Sequence, residues 1–437
     1  MLTQNLGFPR IGAYRELKFA LEAYWKNEIT ADQLETAARS IRHTNWKLQL
    51  KNQVDLIPCN DFSLYDHVLD MSVMLGAIPP RFMNHEFENE HELYFAMARG
   101  VENPDGSFVP PMEMTKWFNT NYHYIVPEIS PDINFQLNLD KLRREILEAR
   151  EIGFQTVPVI IGPVTYLLLG KSPMVGFSPL DKLGELLSVY DLLFSELEKE
   201  ELNFVQIDEP FLTTDLSASQ EQAYRKFFTY FNNNKYSLNF ILTTYFGDLS
   251  DNIDLISASP FEGLHIDLTN TSNEKGLSEI SGQFRYLSLG LIDGRNIWRS
   301  DLSKIARKVE EYKKVAPETT LFISPSCSML HVPQDVEDES EMDPAIKSWL
   351  SFGVQKLEEL RILKEFFQGS RLFSSAFEGN NRILEERKAT RQIEISVGDS
   401  GLEDKDLYRK SPFEKRKQAH VDKLKIPILP TLSLIHI

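Results

Sequence analysis

Eight short apolar runs punctuate the chain. They are NLGFP (5–9), VDLIPC (54–59), TVPVII (156–161), NFVQID (203–208), NFILTTY (239–245), GLHIDL (263–268), YLSLGLI (286–292) and TLFIS (320–324). Each is about strand length and nearly continuously apolar, the pattern of parallel strands covered on both faces. Between them, residues 18–26, 31–48, 140–152, 180–199, 215–232 and 300–315 repeat apolar positions at three- and four-residue spacing, as helices do. An open doubly wound sheet needs no particular strand number, so the count of eight points to an α/β chain forming a (β/α)8 TIM-type barrel. The stretch between the second and third runs, 79–131, reads as a long insertion with its own aromatic and polar content, a lid-like feature. After the eighth run an acidic connector, QDVEDESEMD (334–343), leads into a long helix over 345–368, with Asp343 as N-cap and Pro344 at the first position. A break at Gly369, a second helical pattern over 372–392, a loop at 398–401 and a last helix over 412–424 follow. This tail is too thin for a core of its own and is expected to pack on the barrel.

Composition narrows the function classes. With 47 Lys and Arg against 64 Asp and Glu, the 437 residues carry a net charge of −17, so nucleic acid is an unfavourable partner unless the basic residues gather on one face. Two cysteines, Cys59 and Cys327, allow no disulfide framework and fit a reducing compartment. No run approaches the ~18 apolar residues of a membrane span, and the first residues lack the basic and apolar regions of a secretory signal. A cytoplasmic protein is expected, without membrane contact.

In a barrel the working face lies at the C-terminal ends of the strands. The fourth run ends in Asp208 and Glu209, an acid/base pair of which only one can face the mouth; a strand-end carboxylate holding a neighbouring loop or an arginine is the preferred explanation. Cys59, His265 and Cys327 lie at three strand ends and could converge on a soft metal, but no metal-ligand spacing supports this, and buried cysteines commonly pack as small apolar groups. His67 reads as a loop histidine. The seventh run leads into Asp293, Gly294, Arg295 and Asn296. Arg15 and Lys18 share one face of the first helix, in its opening turns. The helix dipole disfavours cations there by roughly 0.3–1 kcal/mol each, so a bound anion would explain them, with backbone N–H groups helping to hold it. Solvated charges partnered by Glu16 and Glu22 are the alternative. Lys116, within EMTKWFNTNYHY, is a further candidate cation, followed by aromatic residues that could line a pocket for a flat heterocycle or simply pack a lid.

The segments LGFPRIG…RELK, DFSLYDHVL, EMTKWFNTNYHYIVPE, IGPVTYL, VQIDEP, LTTYF, GLHIDL, GLIDGRNIWR and SPSCSMLHVP occur in the order found in cobalamin-independent methionine synthase, and the chain resembles the N-terminal half of that family. The resemblance implies two (β/α)8 barrels joined by a helical segment, with 1–333 as the first barrel and 334–430 as the segment, and methyl transfer from 5-methyltetrahydropteroyltriglutamate to homocysteine. It places donor contacts at Arg15, Glu16, Leu17, Lys18 and Lys116, where cations would meet the acidic polyglutamate tail. It places the catalytic zinc, its His/Cys/Glu/Cys ligands and the homocysteine pocket in a second barrel that acts as partner. No metal ligands, no catalytic residue and no cobalamin are expected in this chain, and turnover by it alone is not expected. Residues 431–437 (TLSLIHI) match nothing in the family pattern; a truncation or a frame-shifted gene end would produce them. Two further readings stand beside it: a stand-alone module binding polyglutamyl folate, which also rests on the resemblance, and a barrel hydrolase or decarboxylase working through Asp208 and Glu209.

Overall fold

The computed structural model describes residues 1–83, 85–103, 105–369, 374–390, 409 and 411–425. Eight parallel strands form one sheet: β1 (Leu2–Thr3), β2 (Ile57–Cys59), β3 (Thr156–Ile161), β4 (Phe204–Asp208), β5 (Asn239–Thr243), β6 (Gly263–Asp267), β7 (Tyr286–Ile292) and β8 (Thr320–Pro325). Their order is β1-β8-β7-β6-β5-β4-β3-β2. A parallel bridge between Gln4 and Leu56 joins the two ends, with Asn5 N donating to Leu56 O at 3.0 Å, so the sheet closes into a barrel. The expected strands lie within a few residues of the observed ones, except the first. There β1 precedes the NLGFP run, which lies past the strand end. Gly7 takes φ +155°, and a Cβ on it would collide with the Ser328 hydroxyl. The run therefore wraps over the rim instead of extending the ladder.

The barrel interior changes character along its axis. Leu56, Val157, Ile241 and Phe322 form a dry cluster with Leu2, Phe204 and Tyr286 at the end where the strands begin. Higher up, polar side chains satisfy one another: Gln4 Nε2 donates to Gln206 Oε1 at 3.4 Å, and His265 Nδ1 pairs with Ser288 Oγ at 2.9 Å. Outside the strands, helices Ala31–Lys51, Asp140–Ile152, Leu183–Glu198, Ala218–Asn233 and Leu302–Val315 bury apolar faces against the sheet. Thr30 and Gln33 form a capping box that starts the first of these.

The insertion folds as helices Pro80–Met83 and Glu90–Arg99 and two hairpins, Val101–Glu102 with Phe108–Val109 and Met114–Lys116 with His123–Ile125. A second apolar cluster, including Leu17, Leu34, Phe82, Phe95 and Met97, ties it to helices Glu16–Trp25 and Ala31–Lys51.

Beyond β8 the expected single helix over 345–368 is two pieces. Asp343 caps Pro344–Ser348 through the N–H groups of Ala345 and Ile346, as expected. The helix then stops, because Leu350 bridges Trp298 and Ser351 N donates to Ile297 O at 2.8 Å. Gly353–Phe367 follows and buries Leu357, Leu360 and Leu363. It packs on β1, β7 and β8 and serves as the eighth barrel helix. Met1–Leu384 is one compact unit, and Glu385–Ile437 a second that contains helix Phe413–Leu424. The expected loop at 398–401, both ends of the 372–392 helix and residues 426–437 lie outside the described residues. Among the described residues no helix is long and apolar enough to cross a membrane.

Candidate functional site

The second hairpin of the insertion carries its tip, residues 117–122, across the barrel mouth. Trp117 is 2% exposed and meets His67 edge-on at 4.4 Å between ring centres. Tyr122 stacks on His67 at 5.5 Å, and the Arg10 guanidinium lies over the Tyr122 ring at 5.2 Å. Phe118 packs on Phe211 at 5.0 Å and Phe246 at 6.0 Å. What remains beneath is a cavity of about 40 Å³ walled by Asn60, Asp61, His67, Trp117, Asp208 and His331 among others. That space admits a few waters and no cosubstrate. The aromatic stretch after Lys116 is thus a plug for the mouth in this structure.

The buried titratable groups around the mouth are satisfied by the chain itself. Asp208 accepts from Gln206 Nε2 at 2.8 Å and from Tyr245 OH at 2.9 Å, yet burial still pushes its carboxyl up to about 7. Glu209 turns away from the mouth and accepts from Val164 N (3.1 Å), Thr165 N (2.9 Å) and Tyr224 OH (2.8 Å). It therefore caps helix Pro163–Leu169, and a Cβ on Gly162 would strike its carboxylate. Of the two expected explanations for this pair, geometry supports the carboxylate that holds a neighbouring loop. Burial, then Arg10, lowers the His67 imidazole to about 3. Burial lowers His265 to about 4, and its Nε2 faces Ser326 O at 3.3 Å. Cys59 and Cys327 are buried thiols raised by burial. Among the described residues no three His, Cys, Asp or Glu side chains gather as a metal site, so Cys59, His265 and Cys327 do not fit a zinc ion.

The rim differs. Arg15 is the residue before helix Glu16–Trp25, held left-handed at φ 64° with an exposed side chain. Lys18, one turn in, has Glu22 as ion partner at 3.7 Å with both side chains about half exposed. Glu16 is pinned: its Oε2 accepts from Tyr14 N at 2.9 Å, and Gly12, at φ +84°, leaves room for that carboxylate only because it lacks a Cβ. Leu17 is 2% exposed and belongs to the core, so only its backbone could meet a ligand, and its N–H already donates to Ile11 O at 3.1 Å. Lys116 closes the hairpin strand opposite His123 and is exposed. The described residues place no carboxylate within 4 Å of Arg15 or Lys116.

Sequence reasoning gave no role to Arg295. Its NH1 donates to Asn119 Oδ1 at 2.9 Å and its NH2 to Asn119 O at 3.2 Å, joining the loop after β7 to the hairpin tip across 176 positions. The only local signal was a charged residue at a strand end.

Residues 2–317 match the family model described as cobalamin-independent synthase, N-terminal domain. The 5-methyltetrahydropteroyltriglutamate–homocysteine methyltransferase of Nitrosomonas europaea is 44% identical over 99% of this chain and 57% of its own length. The enzyme of the same name from Flavobacterium johnsoniae is 40% identical over 99% of this chain and 58% of its own length. The chain therefore spans a little over half the length of these curated relatives. A B12-independent methionine synthase structure from Shewanella sp. W3-18-1 superposes with a TM-score of 0.55 at 12% identity, covering 78% of this chain and 90% of that one, a likeness of fold. On the family match and these identities, the chain belongs to the cobalamin-independent methionine synthase family, of which it carries the N-terminal domain.

Proposed function

We propose that this chain is the donor-binding lobe of a 5-methyltetrahydropteroyltriglutamate–homocysteine methyltransferase, gripping the polyglutamate tail through Arg15, Lys18 and Lys116 at the rim. One observation carries the reading: exposed cations that have weak or no carboxylate partners among the described residues stand beside a mouth closed by its own side chains. A tail of carboxylates is an acidic, extended ligand, and such a ligand suits exposed surface cations rather than a cavity of about 40 Å³. The contribution to chemistry is then proximity. Holding the tail fixes the pterin end where a homocysteine thiolate can approach the N5-methyl group. The described residues do not fit the family's zinc, so no step of transfer is assigned to them; metal and thiol belong, in this reading, to a partner lobe. Loops after β1 and β3 expose Ile11, Tyr14, Met174 and Val175, and helix Pro344–Ser348 exposes Ile346, apolar area suited to such a lobe.

Titrating the chain with folate triglutamate and monoglutamate tests this. Each exposed ion pair adds modestly, so the triglutamate is expected to bind about tenfold tighter and to lose that advantage as salt rises. Equal affinities for the two forms would defeat the reading.

A further inference from the structure

Among the described residues Lys116 has no ion partner, so something else must fix where it stands. It ends a strand of three residues paired with another of three, Met114–Lys116 with His123–Ile125, and an isolated two-stranded hairpin is marginal in water. The tip beyond Lys116 is anchored from below by buried Trp117 and from the far side of the mouth by Arg295. That arginine is itself held. Its N–H donates to Asp293 Oδ1 at 2.8 Å, and its guanidinium lies over the Phe246 ring at 4.9 Å. Phe118 and Phe246 touch each other, and both occupy the left-handed region, at φ 49° and 79°. Bulky residues persist there only where surroundings over-determine them. The planar fork of Arg295 engages both oxygens of Asn119, a geometry an ammonium cannot copy.

We infer that Arg295 is a positioning residue: with Asn119 it latches the hairpin tip and thereby sets Lys116 at the rim for an acidic tail. The purpose rests on the tail reading above; the latch does not.

Amide hydrogen exchange on the full chain tests the latch directly. The N–H groups of Trp117 and Thr120 donate inside the tip, to Tyr122 O and Trp117 O. In Arg295→Ala their exchange is expected to quicken about tenfold, the weight of a charge-assisted bidentate contact, while amides of helix Asp140–Ile152 stay unchanged. Affinity for folate triglutamate should fall about fivefold, with monoglutamate affinity constant. Asn119→Ala should act in the same direction, and the double variant should be no worse than Arg295→Ala. Arg295→Lys should recover only part of the loss. Unchanged exchange at Trp117 and Thr120 in Arg295→Ala would overturn the latch. So would full recovery by lysine, or a loss in Arg295→Ala that Asn119→Ala does not share, since either makes Arg295 a direct contact. If the wild type binds both folates equally, the tail reading fails alone and exchange still decides the latch.

Discussion

The mouth and the rim of this barrel use their titratable and charged residues in opposite ways. At the mouth Asp208 and His265 are buried and bonded to the chain's own groups, as is Glu209 just behind it, and an aromatic hairpin tip that packs on His67 covers them. At the rim Arg15, Lys18 and Lys116 are exposed, and among the described residues they make one ion pair, Lys18 with Glu22 at 3.7 Å. Titratable groups at the strand ends mark the working face of a barrel, but here their bonds are already made. The cations without close partners are the ones left to meet something from outside. A perturbed group in a cleft is a functional candidate only until its partners are counted.

Breaking the mouth should affect stability most. Glu209→Ala strands the Val164, Thr165 and Tyr224 donors and should cost about 3–5 kcal/mol, read from the urea midpoint; Glu209→Gln, which keeps an acceptor, should cost much less. In protein that remains folded, the preference for triglutamate over monoglutamate should not change. The pH dependence comes next. Asp208 titrates near 7 when folded, against its usual 3.8. Between those values the folded state holds the extra proton, so this group's contribution falls as pH rises and is fully lost above about 7. Asp208→Asn should flatten that part of the fall in urea midpoints between about pH 5 and pH 8.

Disturbing the rim should be milder for stability and visible in binding. Gly12→Ala places a methyl against the Glu16 carboxylate at a left-handed position and should destabilise by about 1–3 kcal/mol while weakening triglutamate binding. Arg15→Ala, Lys18→Ala and Lys116→Ala should each leave the urea midpoint near wild type yet lower triglutamate affinity about two- to fivefold, with the losses shrinking at high salt.

Much of the fold was legible because strands buried on both faces leave continuous apolar runs: β3 and β7 match their runs end to end. β1 was not, because it is two residues, Leu2 and Thr3, and the louder run beside it owes its apolar character to rim packing. The rim cations were legible as charges at a helix start, but their expected shared face was not realised: Arg15 precedes helix Glu16–Trp25 in the left-handed region, so helical spacing does not relate it to Lys18. The closed mouth was not legible. It depends on where the insertion travels, and Arg295 meets Asn119 from 176 positions away. Nor could sequence do more than prefer one role for the Asp208–Glu209 pair, since the choice turned on Glu209 reaching the start of helix Pro163–Leu169.

Isothermal titration of folate triglutamate into two variants, the Arg15→Ala/Lys18→Ala/Lys116→Ala triple and Asp208→Asn, sets rim against mouth directly. The rim account expects the triple variant to bind triglutamate no better than monoglutamate and Asp208→Asn to keep the wild-type preference; a triple variant that keeps the preference while Asp208→Asn loses it would contradict the account.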